Sequence, residues 1–184
     1  MTTAKTEHPQ ILRLTRISAM VALTVSVLAG PASPALSQEP VLPAEARAMT
    51  APEIYRIYRN KSWRWDNGAG LMKDEGRKFK AWVEGEKGRT WAEGRWAITE
   101  TGLMCLVATW HTDDGAFPAK TCFSHRINAG TVYQKREPDG IWYVFRHAEP
   151  REDDEVRKLV PVDLVSERLD NIQAALGAAM FPEQ

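Results

Sequence analysis

Few side chains in this sequence are able to do chemistry. Cys105 and Cys122 are the only thiols, and His8, His111, His125 and His147 are the only imidazoles. Two thiols make a poor structural zinc site, which takes four ligands, and no C-x-x-C spacing supports dithiol exchange. A metal would need His111, His125 and His147 to converge with a carboxylate such as Asp113 or Asp114. Their positions, each at or near the end of a strand-like run, read instead as three unrelated histidines, so neither a metal nor a cofactor is expected. Ser62, Ser124 and Ser166 stand outside any G-x-S-x-G turn and lack a histidine–acid frame. Asp66, Glu93 and Glu100 are acids that could pair as in a polysaccharide hydrolase, although exposed sheets bring carboxylates together by chance. No catalytic residue is assigned, and binding is favoured over catalysis.

Tryptophan points to binding. All seven lie between positions 63 and 142. Alternation puts Trp82 and Trp91 on faces read as outward, with Lys78, Lys80, Glu93 and Arg95 beside them. Exposed indoles among polar groups offer large rigid contact area and a hydrogen-bond handle to sugars, peptides or partner proteins. Trp82, Trp91, Glu93 and Arg95 are therefore the candidate contacts, joined by His125, which shares a strand face with Phe123 and is expected to point inward. The alternative is that helices cover these rings. Trp63, Trp65, Phe79, Trp96 and Trp110 read as structural core. An apolar ligand among Trp63, Trp65, Trp96, Trp110 and Phe123 is a further possibility, but small barrels are commonly filled by their own side chains.

The elements that must position these residues follow from periodicity. Thr50 followed by Glu53 forms a capping-box pattern with Pro52 in the first turn, and Ile54, Tyr55, Ile57 and Tyr58 form an apolar stripe, so a short helix is expected over about 51–59. From Lys61 to His147 short runs are punctuated by "DNGAG", "KDEG", "EGEKG", "ETG", "DDGAFP", "NAG" and "EPDG". Glycine, asparagine and proline supply the dihedrals that turns require, and the pattern is that of an antiparallel meander. Trp63 and Trp65 share one face, as do Phe79, Ala81 and Val83, then Ala92, Gly94, Trp96 and Ile98, then Met104, Leu106, Ala108 and Trp110. Open edges are a pairing hazard, which favours closure into a small barrel or sandwich, and Gly94 fits the bend this needs. "IWYVFRH" is apolar on both faces, so the tail is expected to cover it. The tail itself reads as an amphipathic helix from about Asp163 to Ala175, with Leu164, Val165, Leu169, Ile172 and Leu176 at helical spacing.

The first third of the chain reads as an address. Lys5, Arg13 and Arg16 precede an apolar run, Ile17 to Ala29, and then "GPASPALSQ" offers Ala35 and Ser37 as small cleavage-site residues. Residues 1–37 are thus expected to be a signal peptide, 38–49 a linker, and 50–184 a single β domain that is periplasmic or secreted. An oxidising compartment favours a disulfide between Cys105 and Cys122. The zero net charge carries no footprint for nucleic acid, and no run is long enough to span a membrane once the leader is removed.

With these motifs in place, "SWRW" and its glycine turn, "EGRWAI", "CLVATW", "CFSH", "TVYQK" and "DGIWYVF", in that order, resemble the exported proteobacterial proteins of the domain of unknown function 995 (DUF995) family. The resemblance covers roughly residues 50–147 and implies export and a compact β domain, with no activity attached. The helix–meander–helix order is also similar in architecture to calycin (lipocalin-like) barrels, an analogy that carries no function. The expected protein is a mainly β, exported, non-catalytic envelope protein that binds a glycan, a small apolar ligand or another envelope protein. A carboxylate-pair polysaccharide hydrolase and a purely structural or assembly role are the alternatives.

Overall fold

The structure, a computed structural model, describes residues 42–86 and 88–180. It opens with a short strand, β1 (Arg47–Ala48), and a helix, α1 (Ala51–Tyr58). The Glu53 carboxylate accepts the Thr50 backbone N–H (2.8 Å) and hydroxyl (3.0 Å) and pairs with Arg47 (2.7 Å). The Arg47 hydrogen bonds foremost hold its pKa down to about 2. Ile54, Ile57 and Tyr58 form the buried stripe. The stretch read as linker thus reaches into the domain: β1 pairs with Arg126 and Ile127, and Met49 is buried.

The expected meander follows as β2 (Lys61–Arg64), β3 (Gly68–Met72), β4 (Lys78–Gly85), β5 (Gly88–Ile98), β6 (Leu103–Thr112), β7 (Gly115–Asn128), β8 (Thr131–Arg136) and β9 (Tyr143–Arg146). Each pairs antiparallel with the next, and the sheet curls into a half-barrel. Gly94 permits the curl. It lies opposite Ala108, and a Cβ there would stand 2.1 Å from the Val107 carbonyl oxygen. Cys105 and Cys122 face each other across β6 and β7 and are joined by a disulfide, with Cα atoms 4.0 Å apart.

After a 3-10 turn (Glu155–Lys158), β10 (Leu159–Val160) pairs with β2, so the sheet order is β10-β2-β3-β4-β5-β6-β7-β8-β9. This pairing decides where the tail goes. Leu164 donates its N–H to the buried Ser62 Oγ (3.1 Å) and accepts from Trp82 Nε1 (2.9 Å). Asp163 then caps the last helix, α2 (Ser166–Met180), accepting from the Val165 and Ser166 N–H groups at 2.9 Å each. Val165 and Leu169 pack on Ala69 and Leu71 of the outer face, with Trp82 and Trp91 partly covered. The tail helix therefore lies over β3, β4 and β5 rather than over β9, because β10 returns the chain to the start of the meander.

Candidate functional site

The concave face of the half-barrel is filled at one end and hollow at the other. At the α1 end, Tyr58, Trp96, Phe79 and Phe145 are buried. Trp63 packs against Phe123, Tyr58 and Phe145, with ring centroids 5.0, 5.8 and 6.2 Å away. Behind it lies a polar cluster. Gln134 Nε2 donates to the Tyr58 hydroxyl (2.6 Å) and meets His125 Nε2 (2.8 Å), which also lies 2.8 Å from the Tyr58 hydroxyl. Tyr143 donates to Gln134 Oε1. Tyr58, Gln134, Tyr143 and His125 Nε2 bond to one another, which helps these groups enter an apolar core, while His125 Nδ1 is buried without a partner among the described residues. Desolvation pushes His125 down to about 4, opposed by the carbonyls of Gly102 and Phe123, and raises both tyrosine hydroxyls. His125 points inward as expected, and it serves the core rather than an open site.

Toward the other end the same face encloses a cavity of about 410 Å³. Trp63, Trp65, Phe79, Trp110 and Phe123 supply five aromatic rings to its wall, and Val83, Leu106, Ala108 and Ala119 complete the apolar part. Trp65 and Trp110 are only partly buried. Gly70 makes room for this wall: a Cβ there would lie 2.8 Å from the Phe79 ring and 3.0 Å from the Trp65 ring. The polar lining residues are Thr121 and Arg136; the Trp63 indole N–H is buried and without an acceptor among the described residues. A concave, mostly apolar pocket with a few convergent polar groups is the usual form of a small-molecule site, typically roughly 300–1,000 Å³ in volume.

The outer face is organised differently. Trp82 sits opposite Trp91, bonded to Leu164 and lying under the Arg168 guanidinium at 5.4 Å. Trp91 stacks on His111, centroids 3.8 Å apart. The tail helix covers these rings in part, and both remain half-buried. Beyond the helix, Glu93 and Arg95 line a shallow groove of about 460 Å³ with Lys78, Lys80, Thr109 and His111.

Glu93 and Glu100 do not pair: Glu93 is five residues before the end of β5 at Ile98, roughly 17 Å along the strand, and Glu100 lies in the turn beyond it, farther apart than the roughly 5–9.5 Å of a glycosidase pair. Glu100 faces the start of α1, 3.5 Å from the Ala51 N–H. His147 Nδ1 is 2.5 Å from the buried Asp154, and the three histidines occupy separate places. Among the described residues no three His, Cys, Asp or Glu side chains gather as a metal site.

Trp63, Trp65, Trp110 and Phe123 were legible as interior from alternation, whereas Arg136 was not singled out. The signal for it lay in "TVYQKR": Val132 and Gln134 are fully buried on one face, and Arg136 is the next residue on that face.

The fold and its site thus define a half-barrel β protein with an aromatic hollow in its concave face. The chain belongs to the DUF995 family, described as proteins of unknown function, whose family model matches residues 24–165. No curated protein and no solved structure matches it.

Proposed function

We propose that this is an exported, non-catalytic binding protein that holds a small, largely apolar ligand in the half-barrel hollow. The observation that carries this reading is the aromatic-walled cavity of about 410 Å³, left open although five large rings surround it. Apolar surface held in place by the sheet, and left unfilled, is available to a ligand at little ordering cost. Export rests on the leader-like residues 1–37, which lie outside the described residues, and is supported by the Cys105–Cys122 disulfide, a bond that persists in oxidising compartments.

Titration with the neutral apolar fluorophore N-phenyl-1-naphthylamine tests the reading. One saturable site per chain is expected, and Ala119→Trp should abolish it. Ala119 is exposed at the rim of the hollow, so a larger side chain there fills the space without overpacking the core, and the melting temperature should stay close to that of the parent. Non-saturable binding, or saturable binding unaffected by Ala119→Trp, would count against the hollow. A second reading, a glycan or partner protein on the outer face through Trp91, Glu93 and Arg95, is favoured by the basic groove alone. Trp82 contributes less to it, since its N–H is already committed to Leu164.

A further inference from the structure

The hollow has one formal charge on its wall: Arg136 brings a guanidinium and Thr121 a hydroxyl, and among the described residues no aspartate or glutamate lines it. Trp63 Nε1 is buried and without an acceptor among the described residues, so the polar groups that a ligand in the hollow reaches are those of Arg136 and Thr121. Arg136 is solvent-exposed and sits across the β7–β8 pair from Phe123, which places it at the rim. Among the described residues no carboxylate lies within 4.0 Å of its guanidinium. Its acidic neighbour Glu137 is already held by Lys135 at 3.0 Å and by Ser124.

Resting on the reading of the hollow as a ligand site, we infer that its ligand class is a small monocarboxylate with an apolar body. The body lies among Trp65, Trp110 and Phe123, and the carboxylate meets Arg136. A guanidinium presents a planar fork of donors that matches a carboxylate in bidentate fashion. One unpaired cation at the rim balances one negative charge. A cationic amphiphile would meet Arg136 as a like charge, and a neutral alcohol would leave the fork with water alone.

Competition against bound N-phenyl-1-naphthylamine at neutral pH, using decanoate, decanol and decylammonium, tests this. Decanoate should displace the fluorophore at concentrations about threefold below decanol, the scale of one solvent-exposed ion pair, and decylammonium should be the weakest. Arg136→Gln, scored against its own fluorophore titration, should bring decanoate to the level of decanol within the variant. Because Arg136 is exposed, the variant is expected to fold, and an unaltered melting curve checks this. Equal displacement by decanoate and decanol in the parent protein overturns the inference and leaves the hollow standing as a ligand site. So does a decanoate preference that survives Arg136→Gln, or a bound fluorophore that neither amphiphile displaces. Failure of the fluorophore to bind at all overturns the reading of the hollow, and the carboxylate inference with it.

Discussion

His125 shows how one residue's environment sets a property of the whole protein. It is 1% exposed and bonded to Tyr58 and Gln134 through Nε2, and burial depresses its pKa to about 4 from the ordinary 6.5. Between these values the unfolded chain binds the proton and the folded chain does not, so folding stability falls as the medium is acidified through this window. The stability is complete above pH 6.5, and the loss reaches about 3 kcal/mol by pH 4. Urea unfolding of the parent and of His125→Asn at a series of pH values checks this. The parent should lose the additional stability between pH 6.5 and 4, and the variant, lacking the imidazole, should not. Parallel curves for the two proteins would show that His125 does not titrate in the way described. The sequence placed this histidine inward by its alternation with Phe123. It gave no sign of the partners that make burial tolerable, because Tyr58, Gln134 and Tyr143 come from α1, β8 and β9 and meet only through folding.

At the scale of elements, local pattern and long-range pairing divided the work. Alternation within each strand correctly separated Ala92, Gly94, Trp96 and Ile98 from Trp91, Glu93 and Arg95, because a one-residue slip would reverse every side chain. Turn chemistry located the strand ends for the same local reason. What no local pattern holds is the pairing of Leu159 with Trp63. That contact carries α2 onto β3, β4 and β5 and converts the expected outward indoles into a partly covered patch. The register of β7 on β8 is equally non-local, and it is this register that sets Arg136 opposite Phe123. The β6–β7 hairpin carries its own covalent tie. With Cys105 and Cys122 separated by 17 residues, the bond should contribute about 3 kcal/mol by restricting the unfolded chain. Denaturation with and without reductant should show a stability lower by that amount in the reduced protein. Coincident curves would mean that the native β6–β7 pairing is already enforced without the bond.

The whole molecule is a sheet with two different faces. Part of its outer face is covered by the tail helix, which buries Ala69 and Leu71 and partly covers Trp82 and Trp91, and its inner face is packed at the α1 end and hollow at the other. "SWRW" lies at this boundary: Trp63, 5% exposed, packs against the filled end and also lines the hollow, while Trp65 is partly open on the hollow's wall. The number of indoles suggested a plugged interior. The sheet's curl, eased by Gly94 and Gly70, spreads the rings around a space instead of stacking them within it. The most direct test of that account is the set of indole N–H cross-peaks in a two-dimensional nitrogen–proton spectrum recorded while N-phenyl-1-naphthylamine is added. A ligand in the hollow should shift the peaks of Trp63, Trp65 and Trp110 and leave those of Trp82 and Trp91 in place. Shifts confined to Trp82 and Trp91 would move binding to the outer face and contradict the central claim.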